Sequence, residues 1–544
     1  MAEGSRTKHT IDPVTRVGGG LAVRFDTDGG RISRAFASGT SYRGFETLLQ
    51  GRDARDVLSL GSRVCGWCGG AQQTTASIAV EQAWGIRPPP MALALRAVAE
   101  AIGAIWVHAA HLAVRAGPDW CAPVVKETTP WLWDAALDAE APGVAVHGFA
   151  TIADLMEALT PVSGSYWRET LPAGRRVQEM LALLYGKSPH PATLTPGGVG
   201  TTDARTNFTA VYTRVYRSVD YVQKVVALWD DLVDFLAAAD PRLAEQGTRP
   251  ANFVQAGAWD DPFVYEGTAV SRSADGATRL APVGVLLDGV VVTRDLQEVH
   301  DGITESLDHS FLQALEGPET AHPAGRRTVA RPGRLDLDGS YSWTGAPRWQ
   351  GHALETGPLG RLWLAATRTD FPTNDFIEPT GEGLRILIPG NFLPERVVEW
   401  RIPSRVNTLE RLRADAYGLA FAGLCAAISL LRGFELSRAG SLDLAAPFSV
   451  PEEECSGAGL WETGRGINAH WVTTRDRRVA AYQVIGPSTW NVSPRDAADV
   501  PGPLEEALAG TPVVEQAGDG GRLKGLDALR VIHSFDPCMH CGSH

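Results

Sequence analysis

At 544 residues the chain is too long for one ordinary core, and a prior of roughly 150 residues per domain implies three or four units or one large interlocked fold. Its 44% hydrophobic and 21% charged residues make a globular composition and exclude a disordered chain. A formal net charge of −13 argues against nucleic acid as a partner, because neutralising phosphates takes clustered Lys and Arg.

The first predicted elements are short strands over 10–35, where "LAVRF" alternates in polarity and "DTDGG" carries a hairpin turn signal. Residues 43–60 read as helix. A longer helix over 91–117 follows the "PPP" at 88–90, and its apolar residues on almost every side predict deep burial. Residues 146–186 and 203–240 are again helical, separated by "GKSPHPATLTPGGVGTT", whose Gly and Pro predict an ordered loop. From 250 to 405 the pattern shortens and becomes strand-like, as in "GVLLDGVVVTRD" and "GRLWLAATRTDF". Helix returns over 408–435, and "AHWVTTRDRRVAAYQVIG" has the two runs and the turn of a hairpin.

The expected fold is α+β and predominantly helical, a long-helix core bundle with peripheral α/β and small β segments. Four segments are expected: an N-terminal strand and helix segment (1–62), a helical core (63–245), a mixed α/β insertion (246–405), and a helix with a C-terminal segment (406–544). No apolar run approaches the roughly 20 residues that span a bilayer, and "MAEGSRTKHT" lacks the pattern of a secretory signal. A cytoplasmic location follows as the expectation, with a membrane reached only through a partner.

Seven cysteines in a chain of this size do not make a disulfide scaffold. Cys425, in "AYGLAFAGLCAAISLL", reads as a core residue, and the isolated Cys121 and Cys455 take the same reading. The other four form two Cys-x-x-Cys pairs, Cys65 with Cys68 near the start and Cys538 with Cys541 in the closing "SFDPCMHCGSH". Such spacing lets a short turn point two sulfurs at one metal. Three readings compete. Structural zinc normally joins pairs a few tens of residues apart. A redox dithiol needs only one pair, in a strand–helix context that "SRVCGWCGG" lacks. A buried centre assembled from both chain termini is the third.

The motifs "RVCGWC" and "DPCMHCGSH" resemble the two signatures of the nickel–iron hydrogenase large subunit. "DPVTRVGGG", "YRGFETLLQGRDARD", "KSPHPATLTPGGV", "YSWTGAPRWQGHALETGPLGR", "WETGRGINAHWV" and "YQVIGPSTWNVSPRD" resemble further family segments in the family's order, so the resemblance runs from about residue 12 to 544. It implies that Cys65 and Cys538 are terminal nickel ligands, and that Cys68 and Cys541 bridge nickel to an iron carrying cyanide and carbon monoxide. It implies heterolytic oxidation of H2, with Arg465 overhanging the site, Asp536 as its acidic neighbour, and Cys538 among the proton-accepting thiolates. Glu46 and His544 match ligands of a structural Mg2+. His544 matches the family's processing point, which implies a mature subunit. Electrons require an iron–sulfur small subunit as partner, in a heterodimer or a dimer of heterodimers.

Three departures stand out. "TRVGGG" puts Gly18 and Gly20 where the family usually has a proton-relaying Glu and a His. Gln72 stands where a His is usual. "WVHAAH" keeps His108 and His111 but puts Val107 at an Asp position, and Gly464 replaces the Pro before Arg465. The chain is in these respects most similar to the actinobacterial-type uptake subgroup, whose resemblance implies oxygen tolerance. Two other functions compete: an H2-sensing relative with slow turnover, and a structural zinc protein.

Overall fold

In the computed structural model, which describes residues 6–201, 204–265, 279–331, 333–372, 374–518 and 522–543, two long helices lie against each other at the centre. The Pro90–Ala110 helix starts with proline in its first turn, where the missing N–H costs nothing. It runs on through a π-helical turn, His111–Ala116, and a 3-10 turn, Gly117–Trp120. Its partner, Thr408–Arg438, is capped by the Asn407 side chain, which accepts from the Glu410 N–H at 2.9 Å. Each is mostly Ala, Leu, Val and Ile on the shared face, and each such large side chain buried there contributes about 1.5–3 kcal/mol.

Pro90–Thr128 and Thr408–Arg438 are long and apolar enough, by length and composition, to cross a membrane. That corrects the expectation that no run is long enough. The reason lies in their setting: 83% of each apolar window is buried inside the protein, because the helices cover one another.

Around this pair stand Ser165–Tyr185 and Val219–Ala239. The helix expected over 146–186 is broken into Ile152–Ala158 and Ser165–Tyr185 at "TPVSG". The one expected over 43–60 becomes Phe45–Leu49 and Asp56–Gly61, separated at Gly51 with φ of 76°. The N-terminal strands Thr7–Ile11, Leu21–Asp28 and Arg31–Gly39 form an antiparallel meander whose tight turn places Gly29 and Gly30 at positive φ.

The stretch from 250 to 405 holds the antiparallel strands Phe253–Asp260, Arg279–Leu287 and Val290–Thr293. "GRLWLAATRTDF" is not a strand, however: Pro358–Ala366 is a helix. Pro358 presets its first turn, and because nearly every residue is buried the sequence offers no polar face to distinguish the two periods.

A helix that the sequence did not announce, Gly69–Trp84, follows the first cysteine pair. Its buried face carries Gln72, Gln73, Thr74, Thr75, Ser77 and Glu81, so hydrophobic periodicity is nearly absent. It lies on the antiparallel sheet Cys455–Thr463, Gly466–Arg475, Arg478–Ile485. A Cβ at Gly459 would sit 2.1 Å from the Thr75 carbonyl oxygen, and one at Gly457 2.3 Å from that of Ala79. Two glycines on one face of a strand thus set the helix–sheet spacing. Of the isolated cysteines, Cys121 and Cys425 are buried, whereas Cys455 on the strand edge is half-exposed, correcting its core reading.

Candidate metal centre

Both Cys-x-x-Cys pairs sit at helix ends. The 3-10 turn Ser62–Val64 ends at Cys65, whose backbone is extended, and Cys68 directly precedes the Gly69–Trp84 helix. The N–H groups of Trp67 and Cys68 donate to the Cys65 Sγ at 3.3 and 3.2 Å. At the other terminus, the Leu526–Ser534 helix stops before Asp536, a non-glycine residue at φ 45°. The following turn is held from two sides. Gly18 donates to the Pro537 carbonyl at 3.1 Å and accepts from the Met539 N–H at 2.5 Å, while the Ser488 Oγ accepts from the Cys538 N–H at 2.8 Å.

This brings four buried sulfurs together. Cys68 Sγ lies 3.1 Å from Cys541 Sγ, and Cys538 Sγ lies 3.6 Å from both Cys65 Sγ and Cys541 Sγ. Hydrogen bonds from Cys541 and Cys65 pull the Cys68 thiol down to about 5, while hydrogen bonding to Cys538, Cys65 and Cys68 together with burial pushes Cys541 far up. Four thiolates so close repel, so holding all of them ionised takes a cation. Buried, all-sulfur donors suit a soft or borderline metal such as nickel or iron far better than magnesium or calcium.

Over the sulfurs, Asp536 joins two arginines. Arg465 Nε stands 2.7 Å from Asp536 Oδ2, and Arg115 Nε 2.5 Å from Oδ1. Burial works against the Arg465 charge, but Asp536 and the neighbouring thiols hold its pKa above the usual value. Both guanidinium groups lie over the Trp67 ring, at 4.6 Å for Arg115 and 5.7 Å for Arg465. Arg115 is the residue that sequence reasoning missed. It sits on the π-helical turn, seven residues beyond His108 and four beyond His111, and that spacing was the available signal.

The departures fall around the same cluster. Gln72 accepts from His470 Nε2 at 2.7 Å, and its amide N–H points at the Cys541 Sγ, 3.6 Å away. Tyr482 OH donates to the other ring nitrogen of His470 at 2.5 Å, so a polar chain leads from the sulfur to Tyr482. A Cβ on Gly18 would lie 3.0 Å from the Cys538 Sγ, and one on Gly20 2.4 Å from Thr40 Oγ1. A Cβ on Gly464 would meet the Val107 Cβ at 2.8 Å. His108 and His111 share Asp415, the former at 2.6 Å, and His111 Nε2 also donates to the His533 carbonyl at 2.7 Å. Glu46 is buried at the start of the Phe45–Leu49 helix rather than exposed, and His544 lies outside the described residues.

A model of the nickel-dependent hydrogenase family matches residues 43–129 and 162–544. The solved actinobacterial-type NiFe-hydrogenase from Ralstonia eutropha H16 superposes with a TM-score of 0.94 at 35% identity, covering 99% of this chain and 100% of that one. The uptake hydrogenase large subunit of Rubrivivax gelatinosus is 28% identical over 608 residues, 98% of this chain and 94% of its own length. The hydrogenase-1 large chain of Citrobacter freundii is 26% identical over 594 residues, with the same two coverages.

Proposed function

The chain belongs to the nickel-dependent hydrogenase family, and from that premise we propose that it is the catalytic subunit of an uptake enzyme whose four thiolates, Cys65, Cys68, Cys538 and Cys541, hold a nickel–iron centre. One observation carries the reading: two cysteine pairs from opposite ends of the chain converge to 3.1–3.6 Å in a buried pocket beneath paired arginines. Once bound, such a centre, its iron ligated by cyanide and carbon monoxide, supplies heterolytic cleavage of H2.

The protein's own groups then have separable tasks. Arg465 and Arg115 stay charged at any working pH, so they orient and polarise but cannot accept the proton. Asp536 keeps both in place, and its carboxylate offsets their charge. Gln72 cannot titrate near neutral pH, so its amide stabilises the Cys541 thiolate as a fixed donor. The ligand sulfurs, Cys538 and Cys68 among them, are the first acceptors for the proton.

Electrons leave to a partner that carries iron–sulfur clusters. Trp67, between the first two cysteines, is 44% exposed and stacked under two arginines. A large aromatic at the surface beside the sulfurs marks the face on which that partner would seat. Glu46, with His544, would hold a magnesium ion near the C-terminus. The complex would work in the cytoplasm, attached to a membrane only through its partner.

Metal analysis of the purified complex tests the reading. Nickel and iron in near-equal amounts, with infrared bands of bound carbon monoxide and cyanide, are the expected result; zinc in the four-sulfur site sinks it. Turnover with an artificial electron acceptor separates an uptake enzyme from an H2 sensor, which reacts far more slowly.

A further inference from the structure

One carboxyl group near the sulfurs has no task in this account. Glu100, on the Pro90–Ala110 helix, is buried and has no cation within ion-pair distance among the described residues. Thr74 and Tyr185 each donate a hydroxyl to its Oε1 at 3.0 Å. Neither reaches Oε2.

Glu100 lines a cleft of about 40 Å³ that is also lined by Cys68 and, towards the surface, by exposed Lys187 and half-buried Ser188. Between Cys68 and the carboxyl stands Gly70, where a Cβ would come within 3.2 Å of Oε1. The absence of a side chain there keeps the cleft open between the sulfur and the acid. The cleft walls are more apolar than polar, but the space exceeds what one water molecule needs, and Glu100, Tyr185, Gln178 and Ser188 offer that water polar partners.

We propose that Glu100 is the proton carrier of this enzyme, taking the proton from the Cys68 end of the cleft through water and releasing it at the Lys187–Ser188 mouth. An S–H bond at Cys68 breaks and an O–H bond at Glu100 forms; the carboxylic acid then returns its proton to solvent, and no electron moves with it. The proposal rests on the reading of Cys68 as a metal-bound thiolate. It also accounts for Gly18 and Val107, which leave no titratable side chain at their own positions.

The surroundings suit this task. Burial pushes the Glu100 pKa up to about 7, against the opposing pull of the Tyr185 and Thr74 hydrogen bonds and of Arg96 one turn earlier. Arg96 is itself paired with Glu81 at 2.7 Å on the Gly69–Trp84 helix, and Glu462, the other acid lining the cleft, is paired with Arg361 at 2.8 Å. Burial raises Glu462 as well, but Arg361 ties up that carboxylate. Glu100 has no ion-pair partner among the described residues and so is the acid of this cleft placed to exchange a proton near neutral pH, where a carrier works best.

The test uses the complete complex with its partner. Glu100→Gln should keep nickel, iron and the carbon monoxide and cyanide infrared bands, yet lose roughly 100-fold or more in H2 oxidation and lose the pH dependence near neutrality. Glu100→Asp should restore part of the rate, and it retains a carboxyl should glutamine disturb the packing. Glu100→Ala should be partly rescued by added formate, which a structural role would not allow. Independently of turnover, infrared difference spectra of wild type against Glu100→Gln, with or without metals, should show a carboxylic C=O band that disappears as pH rises through about 7, the contribution of Glu505 cancelling between the two. A metal-loaded Glu100→Gln complex with wild-type rate and pH profile overturns the proposal, as does the absence of that band. If the wild-type complex holds no nickel and iron, the functional reading fails, whatever the band shows.

Discussion

At the scale of single residues, the departures from the family pattern are coupled by sterics. Gly464 replaces a proline where Val107 replaces an aspartate, and any Cβ at 464 would overlap the Val107 side chain at 2.8 Å. Gly464→Ala should therefore cost about 1–3 kcal/mol, and Val107→Ala in the same chain should recover most of it. A double-mutant cycle on denaturant unfolding measures that coupling. Gly18 is constrained in the same way. A Cβ there would press on the Cys538 sulfur at 3.0 Å, so Gly18→Glu should not restore a relay at no cost. H2/D2 exchange should fall by about tenfold, equivalent to ~1.4 kcal/mol, with shifted carbon monoxide and cyanide bands. Exchange above the wild-type rate would show that the sulfur tolerates the added side chain.

At the scale of elements, the site hangs on the crossing of the two central helices. His108 and His111 project from one helix to Asp415 on the other, and His111 reaches on to the His533 carbonyl at the end of the helix that precedes Cys538. Both His111 ring nitrogens face acceptors, so the ring is held as the imidazolium. Although burial opposes its charge, Asp415 and Asp536 raise its pKa. Asp415→Ala removes the shared anion from two buried rings and should lower stability by about 3–5 kcal/mol. Thermal unfolding and nickel retention report on this together, because the same contact fixes the π-helical turn that carries Arg115. Substitution of solvent-exposed Glu382 should change neither.

At the scale of the whole molecule, buried acids give the fold a pH dependence of predictable sign. Burial raises both Glu100 and Glu505 from an ordinary 4.5 to about 7. Below 4.5 the folded and unfolded chains both hold these protons, and their contribution is complete. Between 4.5 and 7 the unfolded chain ionises first, so stability is lost as pH rises through the folded value, by about 3 kcal/mol per group. Melting temperature should fall on going from slightly acidic to slightly alkaline buffer, and Glu100→Gln should flatten part of that slope. An unchanged slope in Glu100→Gln would mean that this carboxyl titrates at its ordinary value in the folded protein.

What the sequence determined by itself was local or strongly punctuated: the Gly-Gly hairpin turn, the long apolar helices, the C-terminal hairpin, and the four cysteines in motif context that assign the family. These signals work at short range, through backbone preference, hydrophobic pattern or ligand spacing. Tertiary structure decided the rest. The Gly69–Trp84 helix buries polar residues and so carries no clear stripe, and the Pro358–Ala366 helix is covered on all sides and so imitates a strand. Arg115 gains its surroundings only when Asp536, 421 positions along the chain, packs against it, and Glu100 only when separate helices close the cleft that reaches Cys68. A charge or an acid acquires its character from what surrounds it, and long-range packing sets those surroundings.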